Sequence, residues 1–162
     1  MRVGVVSDTH NNLKNCNKIV ELFNEAAVDR VIHTGDITQA KTLEVLSNLD
    51  APMWGVYGNN DIGERESLAS AASLFDFEIM DPPMKLVWAG RKVVVVHDPL
   101  ELKLADVEDC DVVLHGHTHR QLIDYRNGRL TFNPGECAGH VAGFNAIGLL
   151  DLVEMKSQIL NF

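Results

Sequence analysis

Arg2-Val3-Gly4-Val5-Val6-Ser7-Asp8-Thr9-His10-Asn11-Asn12 opens the chain with a Val-rich run that stops in a polar cluster. Such a run predicts a short buried strand, and the cluster after it predicts a loop. Directly downstream, Leu13, Cys16, Ile19, Val20, Phe23, Ala26 and Ala27 recur at three- and four-residue spacing, the mark of an amphipathic helix. The same unit then recurs. Arg30 to Thr34 is a strand ended by Gly35-Asp36, and Leu43, Leu46 and Leu49, with Val45 beside them, mark a second helix. Pro52 starts a third strand, Met53 to Tyr57, which ends at Gly58-Asn59-Asn60-Asp61. Strand–helix–strand–helix–strand at these lengths predicts a parallel sheet with right-handed crossovers, an α/β fold.

The second half reads mainly as β. Met84 to Ala89 and Lys92 to Val96 flank Gly90-Arg91, a two-residue hairpin signal. Leu100 to Val107 is long enough for a short helix, and Asp111 to His115 is a strand running into Gly116-His117-Thr118-His119. Tyr125 to Gly128 predicts a turn between Leu122–Asp124 and Leu130–Phe132. Asn145 to Leu160 reads as a last hairpin turning near Glu154–Lys156, and Leu68 to Leu74 as helical. With 162 residues and no repeat or linker, the whole of 1–162 is expected to form a single domain.

Lys and Arg number 14 against 23 Asp and Glu, a net charge of −9. That balance argues against a non-specific nucleic-acid or membrane-surface binder, which needs positive charge to meet phosphates. Cys16, Cys110 and Cys137 are an odd number, widely spaced, and suit a reducing compartment rather than a disulfide framework. The N-terminus lacks the apolar core of a signal peptide, and no apolar stretch approaches the ~20 residues of a membrane helix. A cytoplasmic protein without a membrane partner is the expectation.

Polar clusters follow five predicted strands: Asp8-x-His10, Gly35-Asp36, Gly58-Asn59-Asn60-Asp61, His97-Asp98 and Gly116-His117-Thr118-His119. Open α/β sheets bind ligands outside the carboxyl ends of their strands, so five parallel strands would bring these side chains to one rim. Carboxylate, imidazole and amide oxygen together are a metal-ligand set. Each piece alone also reads as ordinary structure: an Asx-turn at Asp8, turns at Asp36 and Asn59, a hydrogen-bonded His97 and a solvated strand face at His117 and His119. Their order, with a strand before each, is what favours the metal reading.

In these segments the sequence resembles the calcineurin-like metallophosphoesterases, whose signature runs D-x-H, G-D, G-N-(H/N/C)-D, a lone His, then G-H-x-H. The likeness spans residues 3 to 119 and extends to Asn133-Pro134-Gly135-Glu136. The small size is similar to the minimal archaeal and bacterial phosphodiesterase branch, which also resembles the retromer scaffold subunit. The resemblance implies a four-layer α/β/β/α sandwich of two mixed sheets with a dinuclear site at one edge. Asp8, His10, Asp36 and His119 would hold one metal, and Asp36, Asn59, His97 and His117 the other, with the Asp36 carboxylate bridging. The ions would be two divalent cations, Mn, Ni, Fe, Co or Zn, with Mn favoured. The implied reaction is hydrolysis of a small phosphodiester by in-line attack of a metal-bridging hydroxide. No protein nucleophile is needed, so the cysteines read as structural. The resemblance also implies pairing of small members into homodimers.

Two departures stand out. Asn60 occupies a position where many relatives carry a His that resembles a leaving-group acid; an amide cannot protonate an alcohol. The expectation is a preference for esters with acidic leaving alcohols, such as aryl diesters. Asp98 follows His97 where relatives often carry Gly and sometimes another His, and it adds negative charge near the site.

Further residues bear on substrate or on ligand support. Asn11 is either a phosphate contact or part of a helix N-cap with Asn12, and Glu136 is a candidate to accept the second N–H of a ligand histidine. His140 is either a phosphate contact and stand-in acid or an ordinary loop residue. His33 and His115 read as packing or supporting positions. The rival readings are a non-catalytic scaffold on the same fold, which need not fill all seven ligand positions, and a nuclease, for which the chain lacks a basic stripe. Nucleic acid is therefore not the expected partner.

Overall fold

Alternation of small and branched apolar residues lets the N-terminal strands bury both faces. In chain order the computed structural model, which describes residues 1–141 and 143–162, contains β1 (Arg2–Val6), α1 (Leu13–Glu25), β2 (Arg30–His33), α2 (Ala40–Leu46), β3 (Met53–Val56), α3 (Arg65–Leu74) and β4 (Glu78–Met80). It continues with β5 (Met84–Trp88), β6 (Arg91–Val95), α4 (Leu104–Val107), β7 (Val112–Leu114), β8 (Leu122–Arg126), β9 (Arg129–Asn133), β10 (Ala146–Asp151) and β11 (Lys156–Asn161). One sheet has the order β11-β10-β1-β2-β3-β4 and the other β5-β6-β7-β9-β8. The strands β1 to β4 are parallel, and so are β6, β7 and β9, while the remaining pairings are antiparallel. Both sheets are mixed. The five motif-bearing strands therefore divide between two sheets, three in one and two in the other, rather than forming one.

Val3, Val5, Ile32 and Val56 of the first sheet meet Val93, Val95, Val112, Leu114, Leu130 and Phe132 of the second. Burying side chains of this size contributes about 1.5–3 kcal/mol each. On the other face of the first sheet, Val6 and Val31 pack with Cys16, Ile19 and Phe23 of α1, Leu43 and Leu46 of α2, and Leu68 of α3. Asn12 caps α1 by accepting the Asn15 N–H at 3.2 Å. The fourth layer is thin: α4, tied by an Asp106–Lys85 ion pair of 2.8 Å, lies beside β5. At the start of β2, away from the motif-bearing ends, Arg30 lies 4.8 Å from the Trp54 ring and 4.7 Å from the Trp88 ring, joining the two sheets.

The structure shifts several boundaries. The β5–β6 hairpin turns at Ala89-Gly90, not Gly90-Arg91: these two residues have φ of 50° and 77°, and Arg91 pairs with Trp88. The last turn spans Leu152–Met155 rather than Glu154–Lys156, because Asp151 Oδ1 accepts the Val153 and Glu154 N–H groups and starts it early. The short helix expected over Leu100–Val107 divides into a 3-10 turn, Pro99–Glu101, and α4. Strand β4, half-exposed at the sheet edge, follows a polar pattern too weak to read. Among the described residues no helix is long and apolar enough to cross a membrane.

Candidate metal centre

Short strands place the motif side chains by where they stop. Asp8 lies two residues beyond β1, Asp36 three beyond β2, Asn59 three beyond β3, His97 two beyond β6, and His117 and His119 three and five beyond β7. Backbone hydrogen bonds then tie these loops together: Asp8 N–H to Gly35 O at 3.1 Å, His10 N–H to Asp36 O at 3.0 Å, and Gly116 N–H to His97 O at 3.0 Å. The last of these belongs to the second sheet alone, but the His117 N–H donates to Asp8 Oδ2 at 3.1 Å and crosses between sheets.

The turns are tight enough to force unusual backbone. Asp8, His10, Asp36, His117 and His119 all have left-handed φ, between 43° and 62°. Asp, Asn and His tolerate that region better than other side chains, yet each such residue costs on the order of 1 kcal/mol. Strain gathered at one rim is characteristic of a functional site. Gly116 answers a different demand: a Cβ there would collide with Ser7 Oγ and approach Asp8 Oδ2 to 2.8 Å.

The side chains converge with ring nitrogens facing carboxylate and amide oxygens. His97 Nδ1 donates to the Thr34 carbonyl at 2.9 Å, so its Nε2 is left to face Asn59 Oδ1 at 3.0 Å and Asp36 Oδ2 at 3.4 Å. His119 Nδ1 donates to Glu136 Oε2 at 3.1 Å, and its Nε2 lies 3.3 Å from Asp8 Oδ1. His10 Nε2 lies 3.4 Å from Asp36 Oδ2 and 3.9 Å from Asp8 Oδ1. His117 Nδ1 is 3.0 Å from Asn59 Oδ1. Asp8 Oδ1 and His10 Nε2 are buried without any hydrogen-bond partner. Such buried, unpartnered atoms facing one another suit a shared cation between them. The ligand-type atoms of Asp8, His10 and His119 lie within 4.8 Å of one another, and so do those of Asp8, Asp36 and His97. Donor types and spacing fit metal ions.

Titration follows the same geometry. Burial opposes charge on Asp36, but hydrogen bonds from His97 and from Asn60 outweigh it and hold the carboxyl well below the usual range. Burial likewise works against a charged His97, yet the neighbouring Asp36 raises its pKa. Asp8 raises that of His119. Burial lowers His10 in spite of Asp36 and Asp8.

A calcineurin-like phosphoesterase superfamily domain matches residues 1–155. The chain belongs to that superfamily. It is 36% identical over 155 residues to a phosphodiesterase of Methanocaldococcus jannaschii, covering 93% of each chain. Phosphodiesterase YfcE of Escherichia coli is 25% identical over 167 residues, covering 93% of this chain and 88% of its own length. The fold superposes on a solved archaeal phosphodiesterase with a TM-score of 0.88 and 32% identity over 100% of both chains. It also superposes on Entamoeba histolytica Vps29 complexed with zinc, with a TM-score of 0.68 and 18% identity over 100% of this chain and 98% of that one, a likeness of fold alone. The expected family, fold class and enzyme class are thereby met.

In this superfamily member the remaining candidates stand as follows. Asn60 donates both its backbone N–H, to Asp36 Oδ1 at 2.9 Å, and its amide, to Asp36 Oδ2 at 2.7 Å. Asn11 has left-handed backbone and accepts the Thr42 hydroxyl at 3.4 Å, while Asn12 alone serves as cap. The exposed His140 ring stacks on His119, 5.5 Å away and 9° from parallel, and lies 5.4 Å from His10. Glu136 accepts from His119 as the sequence suggested. His33 and His115 are buried supports.

One supporting group, Asp61, escaped the sequence reading, whereas His33 reads there as a packing or supporting position. Buried Asp61 accepts three backbone N–H groups, from Gly58 at 2.7 Å, Thr38 at 2.7 Å and Asp36 at 3.0 Å, and so fixes the loops that carry Asn59 and Asp36. The Gly35 N–H donates to His33 Nδ1 at 3.1 Å, which leaves His33 Nε2–H to donate to Thr9 Oγ1 at 3.0 Å. Asp61 closes the Gly-Asn-Asn-Asp segment, and that position was its only signal.

Proposed function

We propose that this chain hydrolyses phosphate diesters at a pair of divalent cations. Asp8, His10, Asp36 and His119 would hold one, and Asp36, Asn59, His97 and His117 the other. The observation that carries the reading is that one atom, Asp36 Oδ2, lies 3.4 Å from His10 Nε2 and 3.4 Å from His97 Nε2, so a single carboxylate faces both sets. When bound, such ions supply Lewis acidity and a water activated for in-line attack on phosphorus. A mixed nitrogen and oxygen set suits Mn, Ni, Fe, Co or Zn, and the carboxylate and amide oxygens favour Mn.

The protein's own groups hold this arrangement still. Asn60 fixes Asp36 by both of its N–H donors. The Thr34 carbonyl keeps a proton on His97 Nδ1, and Glu136 keeps one on His119 Nδ1, so both rings present Nε2 inward. No thiol competes as nucleophile, since burial pushes Cys16 up to about 12 and raises Cys137 as well. Asn60 has no proton to transfer to the leaving oxygen, which favours acidic alcohols that depart without protonation. The relatives named as phosphodiesterases support a diester substrate. Calorimetric titration of the chelated protein with Mn²⁺ tests the reading. It calls for two equivalents bound, falling to at most one in Asp36→Asn; a wild-type protein that binds none contradicts it.

A further inference from the structure

Asp98, the departure after His97, divides its two oxygens between two tasks. Oδ1 accepts the Leu100 N–H at 2.9 Å and caps the 3-10 turn Pro99–Glu101. Oδ2 lies 3.7 Å from His117 Nε2. Glu136 is divided similarly, with a hydrogen bond where Asp98 has a longer charge contact: Oε1 accepts the Val141 N–H at 3.2 Å, and Oε2 accepts from His119 Nδ1 at 3.1 Å. Each carboxylate thus ties a rim loop with one oxygen and faces a ring nitrogen with the other. That nitrogen is in both cases the one turned away from the converging acceptors, because His117 presents Nδ1 to Asn59 and His119 presents Nε2 to Asp8. The two histidines of one Gly-His-Thr-His segment use opposite nitrogens, and each has a carboxylate behind it.

We infer that Asp98 is a positioning and specificity residue, which orients His117 with Nδ1 inward and, together with Glu136, biases the centre toward singly charged diesters and against doubly charged monoesters. The inference rests on the two-metal reading above. Charge on the protein side supplies the second half of it. Asp8, Asp36, Asp98 and Glu136 carry as many negative charges as two divalent ions carry positive ones, and Asp61 adds a fifth carboxylate whose charge faces three backbone N–H groups. Little surplus positive charge is left to hold a second negative charge on the substrate. A phosphate monoester carries up to that second charge at neutral pH, whereas a diester does not.

The variant Asp98→Asn separates this role from simple capping. Its amide oxygen can still accept the Leu100 N–H, while its N–H group faces Nε2 and demands the opposite tautomer of His117. Asp98→Ser also keeps the cap but removes the charge, and it decides the matter if the first variant does not fold. Mn²⁺ binding to the chelated full-length protein would be measured by calorimetry, alongside kcat/KM for an aryl diester and its matched monoester. The expected result is that one Mn²⁺ equivalent weakens about ten- to hundredfold while the other holds, and that the diester-to-monoester ratio falls about tenfold. Unchanged Mn²⁺ affinity, or an unchanged ratio, overturns the inference. A wild-type protein that binds no Mn²⁺ overturns the two-metal reading and this inference with it, and that failure shows in the wild type rather than in the variants.

Discussion

Asn60 grips Asp36 through two hydrogen bonds, one to each carboxylate oxygen, at 2.9 and 2.7 Å. The residue that stands where a leaving-group acid is expected is thus committed to holding the carboxylate that faces both ligand sets. It supplies position but no proton. General acid catalysis is typically worth 10²–10⁴-fold, and its absence has a kinetic signature. Across a series of aryl diesters, kcat/KM is expected to fall steeply as the leaving phenol becomes less acidic, and Asn60→His to flatten the slope. A flat dependence in the wild type would contradict this role for Asn60.

Glu136 offers a second test. Glu136→Gln retains an oxygen for the His119 N–H but loses the charge that makes Nε2 a strong donor to a cation. Replacing such an outer partner typically weakens metal binding 10–100-fold, and we expect at least tenfold for one Mn²⁺ equivalent by calorimetry. Equal affinity in variant and wild type would leave Glu136 as a loop tether only, through its bond to Val141.

His33 makes the metal-free protein acid-sensitive. Burial lowers its pKa from about 6.5 to about 4 in the folded state. Between those values the unfolded chain binds a proton that the folded chain refuses, so stability falls as pH falls through this window. The contribution is on the order of 3 kcal/mol. His97 and His119, with raised values, act in the opposite sense, so the comparison is best made by difference. Urea unfolding of chelated wild type and His33→Gln at pH 7 and pH 4.5 should show the wild type losing more stability. Parallel losses would remove His33 from the explanation.

Gly116 is required by space rather than by backbone angle. An alanine methyl would be driven into Ser7, Asp8 and Thr34. Overpacking of this kind costs about 2–3 kcal/mol, a fall in Tm of roughly 5–10 °C for a chain of this size. Gly116→Ala should therefore melt lower even without metal, as differential scanning calorimetry would register. A melt within a degree of wild type would mean that Asp8 yields freely.

The repeated strand-and-polar-cluster pattern made the first sheet legible, because Val3, Val5 and Ile32 lie on buried strands with recognisable ends. The seven candidate ligands were legible for the same reason: a side chain just beyond a strand end cannot wander far. Less was readable where tertiary contacts override local preference. Strand β4 alternates poorly, and nothing local reveals that Glu78–Met80 pairs with β3. Asp61 supports the site through backbone N–H groups that leave no trace in side-chain spacing, whereas His33 was legible as a supporting position but its bond to the Gly35 N–H was not. Asp98 was visible as a negative charge, but its place behind His117 depends on two loops from different strands meeting.

The most direct test of the account is hydrolysis of a chromogenic aryl phosphodiester and its monoester by chelated protein, resupplied with one divalent metal at a time. Asp36→Asn runs beside it. The account predicts diester turnover that requires metal, is greatest with Mn²⁺, exceeds monoester turnover and disappears in Asp36→Asn. A folded wild-type protein that turns over neither ester with any metal would contradict it.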